Sequence, residues 1–214
     1  MPKVIVFDGG QGGEEVAEYI ERELPILEVK KVTGSQEIGA KHTKYGVCMA
    51  VENELLPYIF KVDLIVLGGF LVSQAVEFLK SRYPDQQFVA VKCDLRELSR
   101  AMMSNVMILA DDKFKKTWQY RRLKVSFKNY NIVEPRCAHW QKLAGDEAVL
   151  GANLRLRDEL AKYRGGKVDT IVIMNTYFTR IETDLMEVFG RQVWIIDFKN
   201  KLMEDINEAL GLKE

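Results

Sequence analysis

Two stretches roughly a hundred residues apart share one grammar, and that grammar leaves few folds open. Val168-Asp-Thr-Ile-Val-Ile-Met174 and Val62-Asp-Leu-Ile-Val-Leu67 both begin Val-Asp and continue as a short apolar run. Each then passes a small-residue or polar turn and enters an amphipathic segment. The run Ile171 to Met174 suits a strand buried on both faces, because it is short and mostly β-branched. Beyond Asn175-Thr176, the residues Ile181, Leu185, Val188 and Phe189 recur at spacings of three and four, which is one face of a helix, and Gly190 stops it. In open α/β sheets such strand-to-helix turns point into the ligand crevice, where helix N-terminal N–H groups attract anions. The repeat predicts two related halves with pseudo-twofold symmetry.

The rest of the chain alternates in the same way. Val4 to Phe7 reads as a strand, Asp8-Gly-Gly-Gln-Gly-Gly13 as a close-approach loop, and the next stretch as a helix with Val16, Tyr19, Ile20 and Leu24 on its apolar face. A strand over 27–33, a loop over 42–46, a helix over about 47–60, a strand over 64–68 and its helix follow. Phe88 to Val91 is a strand ending at Lys92-Cys93-Asp94, and 95–103 a short helix. The second half reads as a strand over 106–109, a helix over about 112–124, a weak strand near 130–133 and a long helix ending near Gly165-Gly166. The repeat stretch, a strand over 193–196 and a terminal helix to about Leu210 complete it. The expected class is α/β, with two similar doubly wound parallel-sheet lobes and an interdomain cleft. Residues 1–98 with the C-terminal helix 199–214 would form one lobe and 99–198 the other, with a hinge near Ser99 to Asn105.

Composition narrows the function. Among 214 residues, 31 basic and 31 acidic side chains cancel, so nothing global calls for a polyanionic partner. No apolar run approaches membrane length and no cleavable leader opens the chain, which reads as cytosolic. Cys48, Cys93 and Cys137 lack the paired spacing of a disulfide framework or a zinc site, and His42 and His139 lack ligand spacing, so no metal is expected. The 8–13 loop departs from G-x-G-x-x-G and lacks Gly-Lys-Ser/Thr, and a carboxylate at its head would repel phosphate. No nucleotide cofactor is therefore expected. Seven basic residues from Lys113 to Lys128, interleaved with Trp118, Tyr120 and Phe127, resemble a nucleic-acid patch. The preferred reading makes the aromatics core and the charges a solvated face.

Taken in order, the motifs resemble the aspartate/glutamate racemase superfamily, and within it the glutamate racemases. Val4-Ile-Val-Phe-Asp8-Gly-Gly-Gln-Gly-Gly13 is similar to that family's opening strand and Asp-Ser-Gly-x-Gly-Gly loop, with Gly9 for the serine. Lys44-Tyr45-Gly46 resembles Pro-Tyr-Gly, and Arg136-Cys137-Ala138 lies near Ala-Cys-Pro. Leu67-Gly-Gly-Phe-Leu-Val-Ser73 lies where the family has Ala-Cys-Asn-Thr-Ala-Ser, and Met174-Asn-Thr-Tyr-Phe178 where it has Gly-Cys-Thr-His-Tyr/Phe. Val193-Trp-Ile-Ile-Asp197 matches the strand that follows. The resemblance implies cofactor-independent chemistry, with one cysteine on each side of a substrate α-carbon, and a homodimer.

The departures fall on the chemistry. Gly69 and Asn175 occupy the two cysteine positions, and neither side chain can carry a proton. Phe70 and Leu71 stand where the family holds the substrate carboxylate, and Tyr177 where it has histidine. Asp8, Tyr45, Ser73 and Thr176 remain, so the expected ligand-binding set is Asp8, Tyr45, Phe70, Ser73, Asn175, Thr176 and Tyr177. One reading is a protein that has lost two-base racemisation and binds a small carboxylate in a binding or regulatory role. A second is a racemase-type enzyme with a relocated group such as Cys93, at a strand's C-terminal end, or Cys48 or Cys137. A third is an interaction scaffold whose cleft is filled by Phe70, Leu71 and Phe178.

Overall fold

A computed structural model describes residues 1–10, 12–41, 43–94, 104–136, 140, 152–166 and 168–212. It divides into two compact units, Met1–Lys92 with Thr117–Gln119 and Phe198–Glu214, and Cys93–Lys116 with Tyr120–Asp197. The helix expected over 95–103, most of the hinge, Cys137, His42, His139 and most of 137–151 lie outside the described residues.

The first unit is built on β1 (Lys3–Asp8), β2 (Glu28–Thr33), β3 (Leu64–Leu67) and β4 (Gln87–Ala90), all parallel in the order β2-β1-β3-β4. The two inner strands are the apolar ones: Val4 to Phe7 and Leu64 to Leu67 are buried throughout, as strands covered on both faces must be. The edge strand β2 carries Lys30 and Lys31 on an exposed pattern that blunts edge pairing. Helix α1 (Gly12–Glu23) buries Val16, Ala17 and Ile20, with Glu14 and Glu15 in its first turn where the helix dipole favours acids. Ile5, Phe7, Val51, Leu55, Ile65, Leu67, Leu79 and Phe88 share one core cluster.

The second unit repeats the design with β5 (Asn105–Ala110), β6 (Asn131–Val133), β7 (Thr170–Met174) and β8 (Trp194–Ile196), parallel in the order β6-β5-β7-β8. The two Val-Asp repeats therefore feed equivalent inner strands, β3 and β7. In each unit the Asp of the repeat anchors the start of the neighbouring strand: Asp63 accepts from Lys3 N at 2.6 Å, and Asp169 from Ser104 N and Asn105 N at 2.9 and 3.0 Å. The expected class, α/β with two parallel sheets, is what the chain forms.

Details differ for physical reasons. The helix expected over 47–60 is α3, Lys44–Leu55. It starts three residues early because Thr43 caps it, accepting from Gly46 N at 3.0 Å, so Tyr45 sits in a first helical turn and not in a loop. It ends early because Pro57 has no N–H to continue the ladder, although Leu56 before it keeps helical dihedrals and donates to Glu52 O at 3.0 Å. A short helix α2 (Gln36–Ala40) lies in a stretch given no element from sequence. Both repeat turns begin as 3₁₀ turns, Val72–Ala75 and Thr176–Ile181, before the α-helices α4 (Val76–Arg82) and, later in the chain, Glu182–Phe189. The helix expected over 112–124 is broken into α5 (Asp112–Lys115) and α6 (Trp118–Ser126). Phe114 and Tyr120 lie six residues apart, about 120° from each other around a straight helix, and the break lets both turn inward to meet at 5.6 Å. Phe114, Tyr120 and Phe127 are core, as the preferred reading of the basic run had it, but Trp118 is not: it is 42% exposed, with Lys44 Nζ 5.0 Å over its ring. The remaining helices are α7 (Ala152–Ala161), α8 (Glu182–Phe189) and α9 (Lys199–Leu210).

Gly190 ends α8 at φ 95° and ψ 153°, a region open essentially to glycine alone. Gly190→Ala is therefore expected to cost about 1–3 kcal/mol, read as a melting-temperature loss of several degrees. An unchanged melting curve would contradict this end to the repeat.

Candidate functional site

The parallel register of the first sheet sets one carboxylate against one glycine. Phe7 pairs with Leu67, and the ladder runs one step further as Gly68 N donates to Phe7 O at 2.7 Å. Asp8 at the end of β1 thus lies beside Gly68-Gly69 at the end of β3, and Gly34 N holds its carbonyl at 2.7 Å. The Asp8 side chain is turned into the unit and is 8% exposed. A Cβ at Gly69 would fall 2.8 Å from Asp8 Cγ and closer still to Oδ1. One at Gly13 would fall 2.7 Å from Asp8 Cβ. Asp8 Oδ1 accordingly stands where a side chain at position 69 would begin, and the glycines at 13 and 69 provide its space.

Electrostatics at this carboxyl run in two directions. Burial raises its pKa above the ordinary aspartate value, while the backbone N–H groups of Gly13, Gly9, Gly10 and Gly12 hold the ionised form and pull the other way. Burial prevails, leaving a carboxyl with raised proton affinity at the C-terminal edge of the sheet. The same N–H groups form the kind of concavity that binds anions, and here the chain's own carboxylate fills it.

The other candidate residues fall into separate surroundings. Ser73 is buried, and its hydroxyl donates to Gly69 O at 2.8 Å, so it braces the turn. Phe70 is buried beside it. Tyr45 is 67% exposed, meets Phe78 edge-on at 6.4 Å, and lines a surface recess of about 400 Å³ with Ser35, Lys41, Met49 and Glu54. That recess does not include Asp8.

In the second unit Asn175 ends β7 and caps the following turn, its Oδ1 accepting from Tyr177 N at 3.1 Å while its carbonyl accepts from Phe178 N at 2.9 Å. The first N–H groups of that turn are thereby engaged, although the sequence pattern had assigned them to an anion. Thr176 is buried, and its carbonyl accepts from Thr179 Oγ1 at 2.8 Å. Tyr177 and Phe178 pack into the unit's own core cluster. Arg180 lies 5.2 Å from the Tyr177 ring centroid. Cys93 is half-buried and its thiol donates to Ile173 O at 3.2 Å, two residues before Asn175. Cys48 is buried with its pKa pushed up by burial, the state of an inert thiol. Among the described residues no group of three His, Cys, Asp or Glu side chains could hold a metal ion, and no helix is long and apolar enough to cross a membrane. The sequence pattern had named Asp8 and Gly69 separately; the repeated glycines around Asp8 were the signal that they meet.

No family model matches the chain. Its two parallel four-stranded sheets with helices have the fold of the Asp/Glu racemases. The allantoin racemase from Pseudomonas fluorescens superposes with a TM-score of 0.61 at 15% identity, covering 99% of this chain and 92% of that one. The glutamate racemase of Escherichia coli, solved with L-glutamate and the activator UDP-MurNAc-ala, superposes at 0.78 with 21% identity over 99% of this chain and 83% of that one. In sequence the chain is 22% identical over 219 residues to the glutamate racemase of Aliivibrio salmonicida, spanning 99% of this chain and 82% of the relative. It is a distant homologue of glutamate racemase.

The Asp8–Gly69 juxtaposition makes a steric prediction. Gly69→Ala forces a buried carboxylate out of its place and is expected to destabilise the protein by about 1–3 kcal/mol. In the double variant with Asp8→Ala most of that cost disappears, because the atoms it would strike are gone. Strictly additive losses in denaturant titrations would show that the two positions do not meet.

Proposed function

We propose that the chain is a divergent glutamate racemase-like protein that has lost two-base racemisation and binds a small carboxylate with an apolar body at the C-terminal ends of its strands. The observation that carries this reading is the state of Asn175. Racemisation needs a titratable group on each side of the reacting carbon, and Asn175 cannot titrate and spends its side-chain oxygen on Tyr177 N. Asp8 beside Gly69 leaves one proton-carrying group where two are needed. The resemblance of the E. coli enzyme, solved with L-glutamate, supports a carboxylate as the ligand class. Phe70 and Leu71 follow Gly69 directly and favour an apolar body over a second charge. The same reading makes the protein cytosolic and dimeric.

One observation favours a second reading, a racemase-type enzyme with a relocated base. The Cys93 thiol reaches the carbonyl of Ile173 on the strand that leads to Asn175. Racemisation separates the two. Purified protein is expected to leave both enantiomers of glutamate and aspartate unracemised in a chiral chromatography assay; turnover above background, lost in Cys93→Ser, would establish the second reading instead. For the ligand, calorimetry should show branched and aromatic carboxylates binding more tightly than glutamate. Burying a second carboxylate without a donor costs on the order of several kcal/mol. Tighter binding of glutamate than of every apolar carboxylate would defeat the proposal.

A further inference from the structure

The first unit's sheet treats its two edges differently. The edge strand β2 carries Lys30 and Lys31, whereas β4 reads Gln-Phe-Val-Ala without a charge, and its Phe88, Val89 and Ala90 are buried. A recess of about 450 Å³ is lined by all four β4 residues, with Glu77 and Lys80 of α4 on one side and Asp205 and Glu208 of α9 on the other. Successive strand residues face opposite sides of a sheet, so a recess that reaches all four runs along the open edge. Leu79 of α4 shares a core cluster with Phe88 and Ala90, and the buried Leu202 and Ile206 of α9 lie outside that cluster, so the two helices flank the edge. Val91 N donates to Leu67 O at 3.0 Å, which fixes the alternation along the strand. Gln87, Val89 and Val91 turn their backbone groups to β3, and Phe88 and Ala90 turn theirs to the recess. Among the described residues no group of the chain takes up those outward N–H and C=O groups. A second strand would supply donor and acceptor together.

We infer that the open edge of β4 is the seam of a twofold dimer, in which the β4 strands of two copies pair antiparallel and their sheets continue as one. With the axis at Val89, Phe88 lies opposite the partner's Ala90, and the two exchange both backbone hydrogen bonds. Val89 faces its own copy across the axis. The charges beside the edge decide for a second copy over a foreign segment. An axis normal to the sheet keeps each flanking helix on its own face and sets it against its copy running the other way. On α4, Glu77 and Lys80 are both exposed and one turn apart, so reversal sets each acid against the partner's base. On α9, Lys201 and Glu208 lie seven residues apart on one stripe and reverse in the same manner. A peptide of one charge would meet both signs along this recess; the same chain meets its complement. The inference deepens the dimeric part of the functional reading by naming its interface, and it is independent of the ligand.

Sedimentation velocity over a concentration series is the test. The unaltered protein is expected to pass from monomer to dimer as its concentration rises. Ala90→Pro removes one edge-facing N–H and leaves the bonds to β3 in place, as proline on an edge strand can. It is expected to keep its circular dichroism spectrum and to sediment as a monomer. Lys80→Glu and Glu77→Lys each set like charges across the axis, and each alone is expected to weaken the dimer at least about tenfold. The two variants mixed in equal amounts, or both changes made in one chain, are expected to restore it. Should Ala90→Pro fail to fold, the charge variants decide, because both positions are exposed. A chain that stays monomeric at every concentration would overturn the inference and the dimeric part of the functional reading together. A dimer that survives in folded Ala90→Pro, or that does not respond to the charge exchange, would overturn this seam and leave the dimeric reading standing.

Discussion

A carboxylate buried beside a glycine governs this site. Asp8 enters the interior because β1 and β3 run parallel in tight register, and it stays there because the loop that follows is almost all glycine. The N–H groups of Gly9 and Gly10, and of Gly12 and Gly13 in the first turn of α1, favour its ionised form against the cost of burial. Neither Gly13 nor Gly69 is interchangeable with another residue while Asp8 holds this position. Two segments some sixty residues apart, 8–13 and the turn at Gly69, are thus tied to one side chain.

This coupling explains why the positions resembling a catalytic pair changed in different ways. At Gly69 the side chain is absent and a neighbouring carboxyl occupies its space, so a titratable group is still present at the strand end. At Asn175 the side chain is retained but turned back on its own backbone as a cap. At the first position a carboxyl stands nearby; at the second the amide is engaged by its own backbone. The proposed loss of two-base racemisation rests on that combination.

Much of the fold was legible because the sheets write themselves in short β-branched runs. The paired Val-Asp strands, β3 and β7, do occupy equivalent inner places, and their aspartates perform the same anchoring task in each unit, a correspondence the motif alone did not reveal. Local steric facts were less legible. Pro57 and Thr43 moved both ends of α3 and carried Tyr45 onto a helix, and the inward turn of both Phe114 and Tyr120 broke a helix that periodicity had drawn as continuous. For the candidate site residues, the sequence pattern did not carry their surroundings. Ser73 braces a turn, Tyr177 packs in a core, and Tyr45 lines a recess that does not include Asp8, because hydroxyl and ring orientation depend on backbone geometry that motif spacing does not encode.

The central claim is that Asp8 is a buried carboxyl whose proton affinity is set by burial against a cradle of glycine N–H groups. The most direct measurement is an NMR titration of its side-chain carboxyl carbon together with the amides of Gly9, Gly10, Gly12 and Gly13. The account predicts a midpoint above the ordinary aspartate value, shared by the carboxyl and those amides. A midpoint at or below that value, or amides that do not follow the carboxyl, would contradict it.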